Sequence, residues 1–483
     1  MINERIIQQK VESLKTFPLL NSNSIDKFST VLKEQDDWHL LRINPLTFAE
    51  KHNIEEKECI DLFIHAAKIG LFDFAYNMLC PVCGGIVHSH HELDELEEEN
   101  FHCQVCNVDV PTFLDDQVEV TFTIHPDVKT LQIDPLQDIN NYYRYHFSEN
   151  FERNIEYEDM PHIISRKLIV LEPDETSTIL VEKGKYSTYS IVSVEYNTGC
   201  WVFLDEKGKA EQKEINVDLL PKGFSPSKIS LVPGDYSLNV TNRTKKKWGF
   251  VVKAANLDEL MELMEKSAVT VHPFFTANQL INNQSFRDLF RVQRLSESLR
   301  LNVRNLTIMF TDLRGSTAMY DEAGDMLAYQ LVREHFKLLS ESVRAYSGAI
   351  VKTMGDAIMA TFTSPLNGFL CALDMIGKID ALNDEWKQHG YEIGLKVGLN
   401  SGSALTVVND ERLDYFGQSV NIAARIQGLA QSSEIYLSDS IYKEAGIEQL
   451  LAMHGYVSEW QEASLKGVGE VMPVHKVYQE LST

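Results

Sequence analysis

Two aspartates in the last third of the chain stand where carboxylates can hold metal ions. Asn305 to Asp312 (NLTIMFTD) reads as an apolar strand ending in a carboxylate, and Leu313 to Thr317 (LRGST) follows as a turn into a helix reaching about Tyr346. Such a turn, with Gly315, Ser316 and Thr317, presents unpaired N–H groups and a helix dipole to a phosphate. Gly348 to Phe362 (GAIVKTMGDAIMATF) reads as two strands joined at Gly355 and Asp356, so a hairpin tip holds a second carboxylate. If those strands neighbour the first, Asp312 and Asp356 converge. Two convergent carboxylates beside a phosphate-binding turn suit paired Mg²⁺ or Mn²⁺, because hard cations take oxygen ligands and bridge triphosphate oxygens. Either aspartate alone reads equally well as a cap or a turn residue. Further on, Asn421 and Arg425 fall four apart, one above the other on a helix face.

A second chemistry lies at Cys80-x-x-Cys83 and Cys103-x-x-Cys106, separated by 19 residues. Each knuckle supplies two thiolates from one tight turn, Gly84 gives the backbone freedom to make it, and together they predict one structural Zn²⁺. A redox dithiol would not need the second knuckle. His88, His90, His91 and His102 lie nearby, but four cysteines fill the shell and leave no open position. The segment from Glu92 to Glu99 carries six carboxylates in eight residues and reads as a solvated loop that repels DNA.

The elements that must position these groups follow from length and pattern. With 483 residues, 44% hydrophobic and 24% charged, several folded domains are expected. The 45 Lys and Arg against 70 Asp and Glu give a net charge of −25, which argues against a nucleic-acid or anionic-membrane binder. The most apolar stretch, Ile60 to Leu79, is interrupted by Asp61, His65, Lys68 and Asp73, so no membrane span is expected. The first 15 residues lack a secretory signal, and a cytoplasmic location is expected. In a reducing compartment the cysteine pattern favours metal over disulfides.

Residues 1–78 read as helices, compatible with a winged-helix-like unit or a plain helical bundle, and 79–116 as the zinc ribbon. From 117 to 256 short alternating runs, such as Val118–Ile124, Lys167–Leu171 and Tyr236–Val240, predict a β-sandwich-like domain. Lys245, Lys246 and Lys247 beside Trp248 read as a solvated hairpin tip. Residues 257–302 read as a helical connector, with Phe286, Leu289, Phe290 and Gln293 at i, i+3, i+4 and i+7.

The region 303–483 resembles the catalytic domain of class III nucleotidyl cyclases, the adenylate and guanylate cyclase family. Asp312 and Asp356 match the two metal-binding aspartates, and the resemblance implies a metal set of Asp312, Leu313 and Asp356. Lys352 matches the base-reading lysine and Asp414, in an Asp-x-x-Gly segment, its partner. Asn421 matches the ribose-orienting asparagine, Arg425 the transition-state arginine, and Lys466, in LKGVGE, the triphosphate-contacting lysine. The resemblance implies a multidomain α+β chain ending in a ferredoxin-like catalytic core, two Mg²⁺ or Mn²⁺ per site, and a homodimer with active sites at the interface. It implies conversion of ATP to 3′,5′-cyclic AMP and pyrophosphate. The N-terminal region resembles, less specifically, the segments ahead of some bacterial cyclase domains and is expected to regulate or set dimer geometry, its regulatory ligand or protein partner being unspecified. The alternatives are a guanylate or pyrimidine nucleotide cyclase, or a non-catalytic zinc-ribbon nucleotide sensor that binds nucleic acid.

Overall fold

Buried side chains three and four apart explain the first helices. The computed structural model describes residues 3–92, 100–111, 113, 115–153, 164–209, 212–256, 258, 269–290, 301–314, 325–386, 393–409, 412–468 and 471–479. Helices α1 (Glu4–Leu14), α2 (Ser22–Glu34), α3 (Pro45–His52) and α4 (Glu56–Lys68) are N-capped by Asn3, Asn21, Asn44 and Glu55, whose side chains accept orphan backbone N–H groups. They bury Ile7, Val11, Phe28, Phe48 and Phe63 toward a small sheet in which β1 (Phe72–Leu79) runs between β2 (Ile86–His90) and a later strand. The hairpin β3 (Asn100–Cys103) and β4 (Val108–Pro111) follows, then β5 (Val118–Ile124), which closes the sheet in the order β2-β1-β5. Phe72 faces Ile124 and Met78 faces Val118 in antiparallel register.

That pairing corrects the expected division at 117. The strand Val118–Ile124 belongs to the sheet of the first unit, and the cysteine ribbon, with β2, lies between β1 and β5 in the chain. The strand after α4 is central, paired on both edges, rather than half of a projecting wing.

After α5 (Ile139–His146) and the short β6 (Phe151–Arg153) comes a two-sheet body. Its strands are β7 (Ser165–Leu171), β8 (Thr176–Val181), β9 (Thr188–Ser193), β10 (Thr198–Lys209), β11 (Glu214–Leu220), β12 (Gly223–Ser225), β13 (Lys228–Leu231), β14 (Tyr236–Asn242) and β15 (Trp248–Ala255). The sheets β13-β10-β9-β15-β7 and β12-β11-β14-β8 share one core, with Phe250 and Val202 of one facing Val217 and Val240 of the other. Of the expected helical connector, residues 257, 259–268 and 291–300, Gln293 among them, lie outside the described residues. Within 257–302 the described elements are β16 (Val269–Val271), which pairs with β6, and two short helices, α6 (Ala277–Ile281) and α7 (Gln284–Leu289).

The last unit begins with β17 (Leu301–Arg314), followed by α8 (Asp325–Ala345), β18 (Ala349–Met354), β19 (Ala357–Phe362), α9 (Pro365–Trp386) and β20 (Gly394–Asn409). Strands β18, β19, β17 and β20 lie side by side in that order, all antiparallel, which is the ferredoxin-like βαββαβ arrangement. Next come β21 (Arg412–Phe416), α10 (Gln418–Gln427), β22 (Glu434–Ser438), α11 (Asp439–Tyr442), α12 (Ile447–His454), β23 (Tyr456–Ser464) and β24 (Val471–Gln479). β17 is buried on both faces: Met309 and Leu313 pack with residues of α8 and α9, while Ile308 and Phe310 share a core with Phe275, Leu280 and Phe286 of the N-terminal region. No described helix is long and apolar enough to cross a membrane.

Candidate active site

The strand β17 and the hairpin β18–β19 bring the two predicted carboxylates to one end of the sheet. Gly355 and Asp356 form a two-residue turn with φ +67° at Gly355, the first central position, as in a type II′ hairpin. The Ile358 amide donates to Thr311 Oγ1 at 3.3 Å, which ties the hairpin to the strand residue beside Asp312. Asp356 Oδ2 is buried without a hydrogen-bond partner among the described residues. An unpaired buried carboxylate oxygen is costly unless a cation meets it. Asp312 lies across from Lys396 in the β17–β20 ladder, and Lys396 Nζ reaches its Oδ2 at 2.9 Å. That partly exposed pair is worth under about 1 kcal/mol, so a divalent ion can displace the ammonium at little cost. The donor set therefore fits a hard cation, with Asp312 and Asp356 offering carboxylates; Leu313, its side chain buried, has only its carbonyl to give.

Behind the turn, His335 is fully buried and its Nε2–H donates to the Asp356 carbonyl at 3.2 Å. Burial lowers its pKa to about 4, so the ring is neutral and holds the turn by a hydrogen bond rather than by charge.

The predicted base-reading residues meet directly. Lys352 on β18 and Asp414 on β21 form an ion pair, Nζ to Oδ2 2.6 Å, and Asp414 Oδ1 accepts from the Tyr415 amide at 2.8 Å. Strand alternation buries Leu413 and Tyr415 and turns Asp414 toward Lys352. The strand is held from behind: Arg287 Nη1 donates to the Leu413 carbonyl at 2.9 Å, and Tyr415 Oη donates to Asn282 Oδ1 at 3.0 Å.

Helix α10 carries Asn421 and Arg425 on one exposed face while Ile422, Ala423 and Ile426 are buried. It lies hard against β20, because a Cβ at Gly398 would stand 2.2 Å from the Gln427 backbone nitrogen. Among the described residues, neither Asn421, Arg425 nor the exposed Lys466 has a side-chain hydrogen bond or ion pair within the chain. No such bond joins Asp312 and Asp356 to Lys352, Asp414, Asn421 or Arg425 either. Gly315, Ser316 and Thr317 lie outside the described residues.

Lys396 and His335 carry no local sequence signal of a site. Lys396 sits in an ordinary strand pattern and gains meaning only through its register with Asp312. His335 falls on an amphipathic helix where a buried histidine looks like core.

The four cysteines gather as well. Their sulfurs all lie within 4.8 Å of one another, and Cys83 Sγ stands 3.8 Å from Cys103 Sγ. A Zn–S bond of about 2.3 Å in a tetrahedron requires sulfurs roughly 3.8 Å apart, so the donor set fits zinc. Gly84, at φ +69°, passes so close to Phe151 that a Cβ would lie 2.5 Å from its ring. The remaining cysteines, Cys59, Cys200 and Cys371, are buried, and burial pushes their thiols up, to about 12 for the first two.

Two family models match the chain. The Family of unknown function (DUF5939) covers residues 8–288, and the Adenylate and Guanylate cyclase catalytic domain covers 301–476. Among curated relatives, an adenylate cyclase of Lachancea kluyveri is 26% identical over 237 residues, covering 44% of this chain and 13% of the relative. The receptor-type guanylate cyclase Gyc76C of Drosophila melanogaster is 25% identical over 257 residues, covering 48% and 16%. The chain thus spans only a small part of the length of these relatives. Among solved structures, the adenylyl cyclase CyaB from P. aeruginosa matches with a TM-score of 0.33 at 21% identity, covering 38% of this chain and 97% of that one. The chain belongs to the DUF5939 family through residues 8–288 and carries, over 301–476, the catalytic domain of the adenylate and guanylate cyclases.

Proposed function

We propose that the protein is a metal-dependent adenylate cyclase that converts ATP to 3′,5′-cyclic AMP and pyrophosphate, acts as a homodimer, and is controlled by its N-terminal region. The observation that carries this reading is the Lys352–Asp414 pair, 2.6 Å from Nζ to Oδ2. A lysine donates to adenine N1 and a carboxylate accepts from the N6 amine, whereas guanine presents a donor and a carbonyl in those places and leaves both protein groups mismatched.

The reaction is in-line attack of the ribose 3′-oxygen on the α-phosphorus. The P–O3′ bond forms, the bond to the pyrophosphate oxygen breaks, and the 3′ proton is released to solvent. Two divalent cations held by Asp312, Asp356 and the Leu313 carbonyl would supply acidification of the 3′-hydroxyl and charge neutralisation on the triphosphate. Asn421 orients the ribose, Arg425 offsets charge developing on the transferring phosphoryl group, and Lys466 holds the triphosphate. The carboxylate set of one copy faces the Lys352, Asp414, Asn421 and Arg425 set of the other, so a dimer has two complete sites and a monomer none. Gly315, Ser316 and Thr317 add backbone donors to phosphate. The four thiols hold one structural Zn²⁺ per chain and support a reducing, cytoplasmic setting.

A guanylate cyclase stands among the relatives, which makes GTP the second substrate to test. Purified, zinc-replete protein is incubated separately with ATP, GTP, CTP and UTP plus Mg²⁺ or Mn²⁺, and products are identified by mass. Cyclic AMP from the wild type and none from Asp356→Ala is the expected result. Another cyclic nucleotide would keep the chemistry and discard the base assignment, and no cyclic product would overturn the proposal.

A further inference from the structure

A cavity of about 750 Å³ opens in the N-terminal unit, between the segment 38–52, β5, residues 144–150 and the stretch ahead of α6. Its size is that of a small-molecule site. Trp38, Phe48 and Phe147 give it aromatic walls, the Arg144 guanidinium lying 4.5 Å from the Trp38 ring; among the charged side chains of the lining, Arg42 and Glu119 are those that are not exposed at the surface or paired there.

These two charges are served unequally. Glu119 is buried, and its carboxylate accepts from Ser148 Oγ at 3.0 Å, Asn150 Nδ2 at 2.5 Å and Asn77 Nδ2 at 3.4 Å. Arg42 is ringed by protein yet keeps surface toward the cavity. Its guanidinium donates to the Arg144 carbonyl at 3.0 Å and lies 5.3 Å from the Tyr145 ring, but has no ion pair with a carboxylate among the described residues. A guanidinium has five donors, so most of its capacity is unspent. The residue is also held at φ +49°, a costly conformation for a side chain of this size, while its amide donates to Thr123 Oγ1 at 3.0 Å.

We propose that this cavity binds a small aromatic monocarboxylate, its carboxylate on Arg42 and its ring against Trp38, Phe48 and Phe147. Of the cations on the lining, Lys51 is exposed and Arg144 pairs with Glu149, so Arg42 is the one set into the wall without a carboxylate partner among the described residues, and it matches one anionic group. The buried Glu119 and the exposed Glu50 and Glu149 on the lining repel a ligand with several negative charges, which sets polyphosphates and tricarboxylates aside.

The site also has a route to the catalytic sheet. His272 and Pro273 in its wall lead into the stretch where Gln284 Oε1 accepts from the Ile350 amide at 2.7 Å and Arg287 holds the Leu413 carbonyl. The same stretch thus joins the cavity wall to the strand that carries Asp414. Binding does not rest on the cyclase reading.

Isothermal titration of the full zinc-replete chain with benzoate and indole-3-acetate tests the site, with inorganic phosphate and citrate as polyanion controls. The expected result is saturable binding of a carboxylate, one per chain, weakened roughly tenfold or more by Arg42→Gln and restored in part by Arg42→Lys. Trp38→Ala, which leaves the charge in place, should weaken it as well. Absence of saturable heat with both carboxylates, wild-type affinity in both Arg42→Gln and Trp38→Ala, or preference for phosphate or citrate would overturn the proposal. Cyclic nucleotide yield measured in parallel separates the two readings: heat without any cyclase product sinks the cyclase reading and leaves the site standing.

Discussion

Replacing Asp414 by alanine separates recognition from stability, because the Lys352–Asp414 pair is too solvated to hold the fold. Lys352 is 40% exposed and Asp414 13%, so their ion pair, though only 2.6 Å long, contributes about 0.2–1 kcal/mol. With the hydrogen bond from the Tyr415 amide also lost, the total is about 2 kcal/mol at most, which for a unit of roughly 180 residues is about 8 °C in Tm at most. The effect on substrate choice is larger. Removing the acceptor for the adenine N6 amine forfeits a charge-assisted hydrogen bond of about 1.5–3 kcal/mol, which is roughly a 10- to 150-fold fall in kcat/KM for ATP. GTP gains by losing a carboxylate set against its O6 carbonyl. The assay is kcat/KM for ATP and GTP by product mass, alongside a thermal melt of the same preparation. An ATP to GTP ratio unchanged within about twofold, with Tm down by more than about 8 °C, would make Asp414 a strut of the fold and refute the reasoning.

Other consequences are equally open to measurement. Gly355→Ala meets no neighbour within 4 Å but must hold φ +67°, so urea unfolding should show a loss of about 1–2 kcal/mol, with cyclase activity falling as Asp356 shifts. Burial and Arg42 lower the His146 pKa to about 3, so the ring is neutral in the fold and charges readily once unfolded near pH 6.5. Its stabilising contribution is complete above pH 6.5 and is lost as pH falls toward 3, by up to about 1.4 kcal/mol per pH unit. Urea midpoints followed from pH 7 to 5 should therefore fall less steeply in His146→Gln than in the wild type. Elemental analysis should find one zinc per chain, lost in Cys83→Ser together with protease resistance of the ribbon.

Local patterns made the catalytic elements legible, and distant pairings did not. The hairpin at Gly355 and Asp356 follows from a two-residue turn between apolar runs, and the common face of Asn421 and Arg425 from helical spacing alone. Cys80 to Cys106 are two knuckles that each need only four residues. By contrast, Val118–Ile124 alternates like any strand, and nothing within it says that its partner is Phe72–Leu79 across an inserted ribbon. The placement of Lys396 on Asp312 depends on a register between strands 84 residues apart. Arg42 reads as one polar residue before a helix, and its cavity exists only where α3, β5 and the 144–150 segment meet. The strand Val269–Val271 sits in a stretch read as helical, although its three β-branched residues favour a strand and it pairs with Phe151–Arg153.

The central claim is a nucleotidyl cyclase site completed by two copies of the chain, and mixing two inactive variants tests it most directly. Asp356→Ala removes a metal carboxylate and Arg425→Ala the transition-state cation, so each homodimer alone should be inactive. On random re-pairing about half of the dimers are mixed, and each of these has one intact site of two, which predicts roughly one quarter of wild-type cyclic AMP production. Recovery near that level would support the shared site. A mixture as inactive as its parts, although mixed dimers are seen by native mass spectrometry, would contradict it.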